Sequence, residues 1–151
     1  MNRRRQKKLT RALLLAVWTD DAGRVRALLR AGADPATPAA DGITPLYAAS
    51  VHGAADAVRL LLAAGAPPNS ESGGTGSEGT PLCAAASWGH TDAVRELLAH
   101  GADPTLREDG GTGLSPLDWA LLGPHPETAA LLRAAGAGPR PPGALAVNRN
   151  G

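Results

Sequence analysis

The sequence predicts an all-α fold assembled from repeated helical hairpins, and three observations carry that expectation. Apolar residues make up 43% of the 151, yet aromatics make up only 3% and phenylalanine is absent. A core of Leu, Ala and Val suits closely packed helices better than a sandwich, whose strands favour aromatic and β-branched residues. A hydroxyl-Pro-Leu tripeptide recurs at Thr44-Pro45-Leu46, Thr80-Pro81-Leu82 and Ser115-Pro116-Leu117. Each is followed, at the same distance of 21 residues, by a Gly-Ala pair at Gly65, Gly101 and Gly136. The length suits one domain with a sizeable core.

The chain opens on a basic segment, residues 1–8, followed by the first unit. Arg3, Arg4, Arg5, Lys7, Lys8 and Arg11 are six of the fifteen basic residues, and the remainder holds nine basic against fourteen acidic residues, a net charge of −5. An acidic body with a basic end lacks the broad cationic face of a nucleic-acid-binding domain, and the segment is expected to be a solvated tail. As an export signal it fails, because Asp20 and Asp21 follow the apolar run Ala12 to Trp18 without a small-residue cleavage site. That run is too short to span a bilayer. The single cysteine, Cys83, excludes an internal disulfide and agrees with a reducing compartment, so the cytoplasm is the expected location. Richness in Ala, Gly, Pro and Arg suggests a GC-rich bacterial genome.

Within each unit the residues dictate two helices. A hydroxyl side chain followed by proline is a helix start, since the hydroxyl caps a free N–H and the proline occupies the first helical position without losing a hydrogen bond. The first helix packs Leu46 and Ala49 inward and breaks at Gly53, or at Gly89 in the next unit. A second helix opens with an acid near its positive end, at Asp56, Asp92 and Glu127. It carries Val58, Leu61 and Leu62 at helical spacing and stops at a glycine able to turn left-handed. A fourth Gly-Ala, at Gly32, counts back to Arg11 and aligns Leu13, Leu28 and Leu29 with the leucines of the later units.

These residues closely resemble the ankyrin repeat, whose Thr-Pro-Leu-x-x-Ala-Ala, Gly-His and Leu-Leu-x-x-Gly-Ala-Asp elements stand in TPLCAAASWGHTDAVRELLAHGADP, residues 80–104. The resemblance covers residues 9–138. It implies a solenoid of four stacked helix-turn-helix units, about 9–40, 41–76, 77–111 and 112–138, joined by short β-hairpin-like fingers, with the end units as caps. The family's usual His after Thr-Pro-Leu is replaced by Tyr47, Cys83 and Asp118, so its hydrogen bond is absent or replaced. Pro124 and Pro126 displace the glycine between the helices of the last unit, whose turn is expected to differ. Residues 139–151, rich in Pro and Gly, are expected to be a disordered tail.

Gly74, Gly76 and Gly79 fall at the G-x-G-x-x-G spacing of a dinucleotide loop. No hydrophobic strand precedes them, and Thr80 stands where a phosphate-binding loop needs lysine. The register instead places them in a finger lengthened by insertion, and the third junction is glycine-extended as well, at Gly110 to Gly113. Nucleotide binding at residues 73–79, or nucleic-acid binding through the basic end, stays as the rival function, and a structural module that self-associates is a third. His52, His90, His100 and His125 lack metal-ligand spacing, and Cys83 sits among Leu82 and alanines as a packed thiol rather than a nucleophile. No enzyme activity, cofactor or small-molecule substrate is expected.

The resemblance implies a protein-binding scaffold that uses the concave face formed by the fingers and first helices. Positions seven and eight after each helix start lie on that face: Trp18, Val51 and His52, Ser87 and Trp88, and Leu122. Trp88 is the leading anchor, because buried Trp dominates many interfaces; Trp119 is expected in the core. Asp41, with Ile43 beside it, Glu71, Glu78, Glu108 and Asp109 lie in or beside the fingers. They form an acidic rim suited to a partner presenting Lys or Arg. A monomer that binds neither membrane nor nucleic acid is expected.

Overall fold

A computed structural model describes residues 2–73 and 79–138. The element order is α1 (Arg3–Trp18), α2 (Ala22–Arg30), α3 (Pro45–His52), α4 (Ala55–Ala63), α5 (Pro81–Ser87), α6 (Thr91–Ala99), α7 (Glu108–Gly111), α8 (Pro116–Leu122) and α9 (Pro126–Ala134). α7 is a tight turn with left-handed residues at Asp109 and Gly110 rather than a true helix. The others form four hairpins stacked in two layers. The first helices pack in the sequence α1, α3, α5, α8, and the second helices in the sequence α2, α4, α6, α9. No strand occurs among the described residues, only an antiparallel bridge between Ser72 and Gly79.

Local chemistry sets each boundary as the repeat predicts. Thr44, Thr80 and Ser115 accept hydrogen bonds from the N–H groups of Tyr47, Cys83 and Asp118, each with proline at the head of the helix. Ser115 adds the reciprocal bond, its own N–H donating to Asp118 Oδ2 at 3.0 Å, which closes a capping box. The turn between helices repeats in all four units: the N–H groups of Asp21, Ala54, His90 and His125 reach the carbonyls of Ala16, Ala49, Ala85 and Ala120. Each unit ends the same way, with Ala33, Ala66, Ala102 and Ala137 bonded to Leu28, Leu61, Leu97 and Leu132. The preceding glycines take φ values near +100°.

Hydrophobic burial accounts for the stacking. Leu13, Leu61, Leu82, Leu97 and Leu132, with Val17, Val25, Val58 and Val94, are sealed in one continuous core, and alanines fill the narrow space between units. Each such leucine contributes on the order of 2 kcal/mol of transfer free energy.

One expectation needs correction. The basic stretch Arg3 to Lys8 is not a separate tail but the first two turns of α1, which makes that helix 16 residues long against seven or eight for α3, α5 and α8. The last unit does depart at its turn, as the prolines imply, since Gly123 has φ −63° where Gly53 and Gly89 are left-handed. It nevertheless keeps the shared turn hydrogen bond. The expected tail at 139–151 lies outside the described residues.

Candidate functional site

The concave face is built by the ends of α1, α3, α5 and α8 together with the fingers. Why these ends stay in register is visible in two histidines. His90 Nε2 lies 2.9 Å from the carbonyl of Val51, and His125 Nε2 lies 3.0 Å from that of Ser87. Each ring therefore crosses to the preceding unit. The crossing needs space. A Cβ on Gly53 would stand 2.5 Å from the His90 ring, and one on Gly89 equally close to His125. In the first unit the corresponding position is Asp20, left-handed at φ 53°, and the next unit carries Ala54 where the later ones carry histidine. Glycine and histidine thus occur as a pair across each boundary or not at all.

On this scaffold the predicted contact residues fall into three groups. Trp18, Trp88 and Leu122 stand open at 50, 63 and 67% exposure. His52 is exposed as well, while Val51 and Ser87 are half-buried with their carbonyls held by the histidines. The most exposed apolar side chains among these positions are therefore Trp18, Trp88 and Leu122. Trp119 packs against the core, its indole N–H without a hydrogen bond of full geometry.

The fingers lean on one another. Gly73 N–H donates to the Gly42 carbonyl at 3.1 Å, Thr44 N–H to Ser72 Oγ at 3.2 Å, and Gly110 N–H to Glu71 Oε1 at 3.3 Å. Asp41 is exposed at the first fingertip, where its Oδ1 accepts from Ile43 N–H at 3.1 Å, and Ile43 turns to the core. Asp109 is exposed. Glu108 differs from the free rim charge expected of it: its carboxylate occupies the space that a side chain at Gly79 would need. Burial pushes the Glu108 carboxyl above its usual range, with the charges of Asp109 and Glu71 adding to the effect, while the Trp119 indole and Cys83 thiol oppose it. Glu78, like Gly74 and Gly76 of the glycine loop, lies outside the described residues.

Cys83 is buried, and desolvation pushes its thiol up to about 12, so it is far from the exposed thiolate that a nucleophile requires. The residues replacing the family's histidine make bonds of their own: Cys83 Sγ lies 3.8 Å from the Leu114 carbonyl, and Asp118 Oδ2 lies 3.3 Å from Arg107 Nη1. Among the described residues no group of His, Cys, Asp and Glu could hold a metal ion, and no helix is long and apolar enough to cross a membrane. At the glycine loop, the described flanks pair with each other, Ser72 N–H donating to the Gly79 carbonyl at 2.9 Å. That is a hairpin base, in place of the upstream strand that a dinucleotide loop extends from.

Sequence reasoning missed the cleft at the N-terminal end of the face. α1 and residues 37–41 border an open cleft of about 830 Å³. Its only signal in the sequence was the basic segment, which in helical register runs Arg3, Lys7 and Arg11 along one side.

A family model for ankyrin repeats, in three copies, matches residues 13–108 and 72–141. A search of curated proteins finds no match.

Proposed function

We propose that this chain, which belongs to the ankyrin-repeat family, binds a partner protein through its concave groove and does no chemistry of its own. Ankyrin repeats are generally protein–protein interaction modules. The observation that carries the reading here is Trp88, the more exposed of the two tryptophans on the face, left 63% exposed near the middle of the stack. A large rigid aromatic already held by the end of α5 can be desolvated by a partner at small entropic cost. Trp18 and Leu122 extend the contact toward the two ends.

Asp41, Glu71 and Asp109 line the fingers, so a partner offering Lys or Arg along the rim is favoured, chiefly in its rate of encounter. Glu108 is withdrawn from this role by its burial. The protein acts as a monomer, and the lone buried thiol suits the cytoplasm.

The test compares recovery of candidate partners by the wild type and by Trp88→Ala, whose exposed side chain can be removed without opening the core. Loss of an anchor of this kind weakens binding by about 2 kcal/mol, or roughly thirtyfold. Equal recovery of every candidate by both proteins removes the groove as the binding site. An association rate that ignores ionic strength removes the acidic rim.

A further inference from the structure

We propose a second recognition site, of opposite charge, in the cleft between α1 and the first finger: it takes a short peptide segment with an acidic end and an apolar end.

The cleft exists because α1 is twice as long as the other first helices. Its extra turns, Arg3 to Thr10, together with residues 37–41, wall a slot of about 830 Å³, within the size range of ligand pockets. Along that wall the chemistry is graded. Arg3, Lys7 and Arg11 follow one another at intervals of four residues, so they share a side of the helix and span roughly 12 Å along its axis. Among the described residues none of the three takes part in an ion pair. Beyond them on the same wall come Leu14 and Trp18, the latter half-exposed.

The wall also holds two polar atoms that nothing satisfies. Thr10 is only 4% exposed, and its Oγ1 has no hydrogen-bond partner; the same is true of the buried Nε2 of Gln6, one turn earlier. Buried polar atoms without partners are rare because each forfeits its hydrogen bonds to water without replacement. Thr10 and Gln6 line the same cleft as Arg3, Lys7 and Arg11, whose long side chains can swing outward around an occupant. A hydroxyl and an amide N–H can both donate to a carboxylate or a peptide carbonyl.

These features select the occupant. Three unpaired cations call for carboxylates, the two donors for oxygen acceptors on a thin chain, and Leu14 with Trp18 for an apolar side chain at one end. Among the described residues, Asp41 on the opposite lip is the only acid in the lining, and its Oδ1 is already engaged by the N–H of Ile43. A bilayer is flat and does not enter a slot walled on both sides. An RNA strand would ask for a longer cationic track than three residues. The site goes beyond the groove reading and shares Trp18 and Asp41 with its N-terminal end, but it is tested apart from that reading, because Trp88 takes no part.

The experiment is fluorescence anisotropy of the full chain with a labelled peptide of three glutamates and two leucines, made in both orders. Saturable binding of one order is expected, weakened about tenfold or more by the double charge reversal Lys7→Glu with Arg11→Glu and by added salt, and unchanged by Trp88→Ala. Both reversed residues are exposed, and circular dichroism checks that α1 persists. Thr10→Val, which keeps volume and removes the hydroxyl, is expected to weaken the peptide as well. Binding that survives the double reversal within about twofold, or a lysine-for-glutamate peptide that binds equally, overturns the proposal. So does a preference for vesicles containing phosphatidylserine, or for single-stranded RNA, with no saturable binding of either peptide.

Discussion

His90 and Gly53 show how single residues set the stack. The ring bridges two units only because glycine lacks the Cβ that would stand 2.5 Å from it, and accepts φ 68° without strain. Gly53→Ala forces a Cβ into the ring and into a left-handed backbone, and should cost about 2 kcal/mol or more in urea denaturation. His90→Ala should cost about 1 kcal/mol for the lost bond to Val51. The double variant should cost less than the sum, because the clash disappears with the ring; strict additivity would show that the two residues do not meet. Cys83 makes a second residue-scale prediction. Its burial should leave the native thiol unreactive toward a disulfide reagent at neutral pH, with full reaction on unfolding; rapid native labelling would contradict the packing described. Glu108 makes a third. Its folded pKa is raised, so its contribution to stability is fully present below the ordinary glutamate range and is lost as pH rises through the folded value. Glu108→Gln should therefore melt higher than wild type at neutral pH, and the gap should close in acid.

At the scale of elements, helix ends matter more than helix propensity. Second helices of nine residues would be marginal alone in water, and what fixes them is the cap before, the glycine after and the neighbours beside. Asp56 and Asp92 add ion pairs to Arg59 and Arg95, at 3.1 and 2.9 Å, but these are exposed and contribute little. The weak end lies in the first hairpin, where Asp20 holds the left-handed position that Gly53 and Gly89 hold in the next two units. Asp20→Gly should stabilise the chain by about 0.5–1 kcal/mol, net of the freedom glycine gains when unfolded. A lower thermal midpoint for this variant would mean that the aspartate side chain compensates in a way the turn geometry does not show.

For the whole molecule, stability is a sum of units and the surfaces between them. Leu97 is fully buried in α6, between α4 and α9, whereas Leu132 lies in the terminal α9. Leu97→Ala should cost about 2–5 kcal/mol, a large share of the stability of a domain this size, and hydrogen exchange should accelerate on both sides of the third unit. The same change at Leu132 should let the last hairpin open while the first two keep their protection. Uniform acceleration in both variants would mean that the stack unfolds as one body.

The sequence by itself determined the repeat, because helix starts, left-handed glycines and the spacing of leucines are local chemistry that recurs at a fixed distance along the chain. It also determined that Trp88 would be open, since a position in a repeated unit carries its face with it. The tertiary structure alone decided what crosses from one unit to the next. His90 and His125 reach carbonyls nearly forty residues away, Glu108 turns in against Gly79, and the first two turns of α1 meet the first finger to border an open cleft. Such contacts depend on how far apart stacked helices lie and which side chains fill the gap. That distance is set by packing, and no periodic pattern encodes it.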